Sequence, residues 1–140
     1  MGGCAAEGEP YNPAELASPG RSGIIYVYRI ADNIFQRGEA PYINIAGKSY
    51  GQLKPGGYIR VVLPEGEYQV TALQTVLLVV PTIPRSVSVA VVPGSQSFVR
   101  VEQRIASIGE NGAASASQEI AIEEVTPETG QAEIAGTRQN

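Results

Sequence analysis

The sequence predicts an all-β protein: an antiparallel β-sandwich of seven to eight strands closed by a short C-terminal helix. Three observations carry this. Segments of four to eight β-branched and aromatic residues alternate with period two. Pro/Gly turn signals separate them at regular spacing. Finally, 16 Gly and 10 Pro in 140 residues suit a turn-rich chain, while a 43% apolar share suffices for one core.

Taken in order, residues 1–22 form a flexible N-terminal tether, since Pro10, Pro13, Pro19, Gly8 and Gly20 are scattered without periodicity. Gly23 to Ile30 is the first strand. It is apolar on both faces, Ile25 and Val27 on one and Ile24, Tyr26, Tyr28 and Ile30 on the other, as expected of a central strand. Tyr42 to Ala46 and Gly47 to Leu53 follow, with Gly47 and Gly51 at positions where a turn or bulge needs positive φ. Lys54-Pro55-Gly56-Gly57 is a turn, because Pro presets φ and Gly accepts the left-handed conformation.

Tyr58 to Leu63 and Glu67 to Leu73 read as a hairpin turning at Pro64-Glu65-Gly66. Val76 to Val80 is a short apolar run closed by Pro81 and Pro84, expected to be a buried strand. Ser86 to Val92 alternates strictly, and Pro93-Gly94-Ser95 turns it into Gln96 to Gln103, with Val99 and Val101 inward and Arg100 and Glu102 outward. Residues 106–118 are small and polar and form a loop. Glu119 to Val125 is the last strand. Thr126-Pro127-Glu128 starts a helix: an N-cap hydroxyl, Pro at the first helical position and a carboxylate at the positive end. Gly130 limits it to about two turns. The domain organisation is thus a tether over 1–22, a sandwich over 23–134 and a disordered tail over 135–140.

Composition excludes several kinds of chemistry. With no His and one Cys there is no Ser-His-Asp or Cys-His catalysis, no disulfide framework and no His/Cys zinc site. No apolar run reaches the length of a transmembrane helix. The net charge of −4 divides into −3 over residues 1–20, +4 over 21–105 and −5 over 106–140. The bases are dispersed and the aromatics do not interleave with them, so no nucleic-acid surface is expected.

Candidate motifs resolve similarly. Gly47-Lys48-Ser49 lacks the upstream Gly of a phosphate loop, since position 42 is Tyr, and reads as a turn with an exposed Lys. Glu123 and Glu124 point to opposite faces of a strand and make no catalytic pair, and Glu65 and Glu67 flank a turn. No catalytic residue, metal site or cofactor is assigned, and the chain is not read as an enzyme. Tyr26, Tyr28, Tyr42, Tyr50 and Tyr58, with Arg29, form the candidate interaction surface, because half-exposed Tyr offers contact area at low entropy cost. The competing role for a Tyr row is sheet packing with the hydroxyls at the edge.

Cys4 lies in Met1-Gly2-Gly3-Cys4-Ala5-Ala6, ahead of a Pro/Gly-rich acidic stretch. This resembles the end of a bacterial lipoprotein signal peptide without its apolar stretch. On that reading the chain is trimmed just ahead of the lipid-attachment Cys4, with Met1 added for initiation. The partner is then the membrane, through an N-terminal lipid anchor. A random-coil tether of some twenty residues would hold the domain about 25 Å from the surface.

An ordered set of segments carries a further resemblance: Ile25-Tyr26-Val27-Tyr28-Arg29, Ile43-Asn44-Ile45-Ala46-Gly47, Gly51-Gln52-Leu53, Gly56-Gly57-Tyr58 and Leu63-Pro64-Glu65-Gly66-Glu67-Tyr68. Over residues 22–126 it resembles the small bacterial lipoproteins grouped as domain-of-unknown-function family 2846. The PEGA and transthyretin-like sandwich domains share its Pro-x-Gly-x-Tyr strand entry. The resemblance implies a prealbumin/transthyretin-like sandwich, a cell-envelope location and no assigned activity. Ala5 after the Cys implies the outer membrane, periplasmic face. The expected role is structural or protein-interacting, with another envelope protein as partner. The alternatives are a secretion-apparatus lipoprotein of transthyretin-like fold, a transthyretin-fold hydrolase (disfavoured by the lack of His), and a cytoplasmic protein whose native start is Met1.

Overall fold

In the computed structural model, Gly8 and residues 21–30, 41–73, 84–105 and 118–139 are described. Strand β1 (Ser22–Tyr28) runs down the middle of a five-stranded sheet, as its two apolar faces require. On one side it pairs antiparallel with β4 (Gly57–Pro64), and on the other parallel with β7 (Gln96–Ile105). Strand β8 (Gln118–Val125) adds antiparallel to β7, and the two-residue β9 (Arg138–Gln139) adds parallel to β4. The second sheet has the order β3 (Lys48–Gln52), β2 (Tyr42–Ile45), β5 (Gly66–Leu73), β6 (Arg85–Val91), all antiparallel. The expected all-β sandwich is therefore present, with nine strands among the described residues and one helix, α1 (Pro127–Ile134).

The sheets enclose one core. The five-stranded sheet supplies Ile25, Val27, Ile59, Val61, Val99, Val101 and Ile120, and the four-stranded sheet Ile43, Ile45, Val70, Ala72, Val89 and Val91. These are the inward positions of the period-two pattern.

Three expectations need correction. Tyr58 to Leu63 and Glu67 to Leu73 are not a hairpin: β4 and β5 belong to different sheets, so Pro64-Glu65-Gly66 is a corner where the chain changes layer. The corner is pinned rather than paired. Glu65 N–H donates to Arg21 O at 2.7 Å and the Tyr68 hydroxyl to Pro64 O at 2.8 Å. Pro93-Gly94-Ser95 makes the equivalent corner from β6 to β7, held by Gly94 N–H to Ser22 O at 2.9 Å. Secondly, residues 135–139 are not a loose tail. Thr137 is only 3% exposed, and Arg138 N–H donates to Gly56 O at 2.9 Å, which sets β9 against β4. The backbone groups beyond the helix find partners in a free sheet edge, a long-range gain that local composition does not display. Thirdly, the stretch read as a tether is engaged where it is described: Arg21 and Ser22 accept at the two corners, and Gly8 N–H donates to Gln139 O at 3.0 Å. The expected strand at Val76 to Val80, residues 106–117 of the expected 106–118 loop and residues 1–7 and 9–20 of the tether lie outside the described residues, while Gln118 opens β8.

The β2–β3 connection follows its sequence closely. Ile45 pairs with Lys48, leaving Ala46 and Gly47 at φ 52° and 83°. Positive φ at both central residues is the type I′ geometry that matches strand twist. Gly47 adopts it freely, whereas Ala46 does so against its Cβ.

Candidate functional site

The helix start reads as anticipated. Thr126 is the N-cap, its Oγ1 accepting from Thr129 N–H at 3.3 Å, and Pro127 opens the helix. Thr137 closes the far end, its N–H and hydroxyl both donating to Ile134 O at 2.8 and 2.6 Å. The helix lies on the outer face of the five-stranded sheet. Beneath it Tyr26 stacks on Phe98, with centroids 5.4 Å apart and planes at 13°, and meets Tyr58 edge-on at 6.0 Å. Ile24, Tyr28 and Ile134 complete this second apolar cluster. Gly130 is the point of closest approach, where a Cβ would overlap Phe98 Cβ and Cγ. The residue that weakens the helix intrinsically is the one that lets it seat.

Beside the aromatic floor lies the densest cluster of charged side chains described. Arg100 on β7 stands opposite Tyr28 on β1 and Glu123 on β8 in register. Its Nη1 donates to both carboxylate oxygens of Glu133, on α1, at 3.0 and 2.9 Å, and its Nη2 donates to Glu123. Its Nε lies 3.3 Å from Glu102 Oε1. The Tyr28 hydroxyl donates to Glu133 Oε1 at 2.5 Å. Burial, then the Glu133 hydrogen bond, pushes the Tyr28 hydroxyl well above its ordinary value near 10. The hydrogen bond to Glu123 above all holds the Arg100 guanidinium above the usual arginine range. One cation thus gathers three carboxylates from β7, β8 and α1, and β1 joins through the phenol. The arrangement acts as a clamp that fixes the helix over Phe98.

The expected interaction surface does not assemble. Tyr26, Tyr28, Arg29 and Tyr58 are 1%, 0%, 1% and 4% exposed, so four of the six are interior. The three tyrosines lie on the outer face of their sheet and are covered by the helix, whereas Arg29 is buried apart from them, its Nη1 donating to Leu53 O at 3.2 Å. Tyr42 and Tyr50 are half-buried on β2 and β3, and Lys48 Nζ sits 5.3 Å from the Tyr50 ring centroid. Cys4 lies outside the described residues. Sequence places Arg100 and Glu102 on an outer face and sets Glu123 aside as a catalytic carboxylate, but it does not single out Glu133 or bring the four together. The available signal was an outward Arg on one strand ahead of an acidic strand, and nothing local indicates that a helical Glu returns to it.

Among the described residues, no group of three or more His, Cys, Asp or Glu is placed to hold a metal, and no helix is long and apolar enough to cross a membrane. Fold and cluster together define a class: a two-layer β-sandwich whose C-terminal helix is ion-clamped to one sheet. Comparisons with protein-family models, curated proteins and solved structures find no match for the chain.

Proposed function

We propose that the protein is a lipid-anchored β-sandwich of the bacterial cell envelope, attached through Cys4 and serving a structural or protein-interaction role rather than a catalytic one. The observation that carries the non-catalytic reading is the use made of the strongest polar cluster. Glu133 is occupied by Arg100 and Tyr28 together, which holds architecture in place. The small residues around Cys4 and the resemblance to the family 2846 lipoproteins support the anchor and the outer-membrane address. The Gly8–Gln139 hydrogen bond shortens the leash. Four residues from Cys4 to Gly8 span at most about 14 Å, so the β9 edge stays near the lipid surface instead of standing off at random-coil distance.

The test is metabolic labelling with a fatty acid in a bacterial host, using the gene with its own upstream sequence. The wild type is expected to take up label and to sediment with membranes. Cys4→Ser is expected to lose both. A wild type without label, or a variant that stays in the membrane fraction, overturns the anchor. A search of native membranes for cross-linked proteins, wild type against variant, addresses the interaction role.

A further inference from the structure

The two sheets present four lateral edges, and each edge strand is a template for another strand unless something blunts it. Three are blunted by recognisable devices. The β8 edge is acidic, with Glu123 and Glu124 exposed. The β4 side is capped over Gly57 and Tyr58 by the two-residue β9, which is met by Gly8 N–H on Gln139 O at 3.0 Å, and beyond that it carries Arg60 and ends at Pro64. The β3 edge begins at exposed Lys48 and is broken by a bulge, where the β2–β3 register shifts between Tyr42 and Asn44 and Gly51 takes φ 88°.

The β6 edge shares only the exposed base at its start, Arg85, and has none of the other devices. After Arg85 it reads Ser86-Val87-Ser88-Val89-Ala90-Val91, with no charge and no Gly. Its pairing with β5 is regular over all seven residues, so the strand carries no bulge. Among the described residues β5 is its only hydrogen-bonded neighbour. Ser86, Ser88 and Ala90 are exposed and small, and Val92, just past the strand end, is 56% exposed, the largest exposure of any big apolar side chain described.

We propose that β6 is a homodimerisation edge, taking the β6 of a second copy of this chain in antiparallel register about a two-fold axis at Ser88. The sequence is self-complementary about that residue. Ser86 then faces Ala90, Val87 faces Val89, and Arg85 faces Val91, so no two charges meet. The even spacing keeps small hydroxyl and methyl groups on the outer face and valines on the core face across the joint, continuing the alternation of one sheet into the other. Pro84 and Pro93 bracket the strand and confine pairing to this stretch. The two four-stranded sheets become one eight-stranded sheet, and Val92 comes to lie beside Pro84 of the second copy. The inference is independent of the lipid anchor.

The experiment is sedimentation equilibrium on the purified chain from about 10 μM to about 1 mM, with amide hydrogen exchange at both extremes. A concentration-dependent dimer is expected, with protection rising along β6 and unchanged along β3. Ser88→Lys sets two ammonium groups face to face at the axis and is expected to weaken association at least about tenfold. Ser49→Lys on the β3 edge is expected to leave it unchanged. Ser88→Glu alone is expected to fail likewise, and mixing it with Ser88→Lys to restore a heterodimer, which a merely misfolded variant would not do. A wild type that stays monomeric throughout, protection that appears elsewhere, or a Ser88→Lys protein that dimerises normally overturns the proposal.

Discussion

The two sheets of this sandwich are built from the same alternating strands and end in opposite situations. The four-stranded sheet buries one face. Its other face carries a cross-strand row of Ser49, Asn44, Thr71 and Ser86, with Thr71 and Ser86 hydroxyls 2.9 Å apart. The five-stranded sheet buries one face against its partner sheet and the aromatic patch of the other under α1. The difference lies in β1, β4 and β7, which contribute to both clusters, and most of all in β1, whose outward residues are Ile24, Tyr26 and Tyr28. An apolar outward face must be covered, and a polar one need not be. The C-terminal helix supplies that cover and is held by a hinge of charge rather than by length: eight residues are too few to be stable alone.

The comparison is most exposed to removal of the aromatic floor. Phe98→Ala is expected to cost about 4 kcal/mol in urea unfolding, because it empties the space beneath the helix and removes the Tyr26 stack. Thr71→Ala on the open face is expected to stay within about 0.5 kcal/mol. Equal losses at the two sites would erase the asymmetry. Next, Gly130→Ala decides between two opposed effects. Helix propensity favours Ala by about 1 kcal/mol, while the new methyl would overlap Phe98. A net loss of about 2 kcal/mol is expected, and a net gain would mean that the helix does not seat as described.

Smaller changes sharpen the clamp. Arg100→Met leaves Glu102, Glu123 and Glu133 without their shared cation and is expected to cost about 2 kcal/mol, moderated by partial solvent access. Glu133→Gln is expected to cost about half as much, since it also removes one of three mutually repelling carboxylates. The order of the two urea midpoints is the measurement. Alkaline pH acts through Tyr28. Its folded-state pKa is raised, so its contribution is complete below the unfolded value near 10 and is lost as pH climbs above that. A loss of about 1 kcal/mol by pH 11 is expected relative to Tyr28→Phe, in which this share of the pH slope disappears. Finally, Ala46→Asn in the β2–β3 turn should stabilise the open sheet by about 0.5 kcal/mol, because Asn tolerates φ 52° better than Ala. A loss there would contradict the type I′ assignment.

Local chemistry by itself determined a great deal. Period-two alternation marked β1 to β8 to within a residue or two at most ends, and missed β9, where a loose tail was expected. The doubly apolar Gly23 to Ile30 announced a central strand, and Thr126-Pro127 announced the helix, because these signals depend only on neighbours a few bonds away. The assignment of strands to layers, by contrast, was a tertiary decision. Pro64-Glu65-Gly66 has the residues of a hairpin turn, and only the bonds from Arg21 and Tyr68 make it a corner. The tyrosines likewise gave their positions but not their surroundings. A residue on the outer face of a strand is exposed or interior according to what lands on it, and Glu133 reaches Arg100 across 33 positions of chain. Side-chain direction is a local property of the backbone, whereas burial and ion pairing depend on segments far apart in sequence, so the fold class was readable along the chain and the clamp became visible only once the layers had closed.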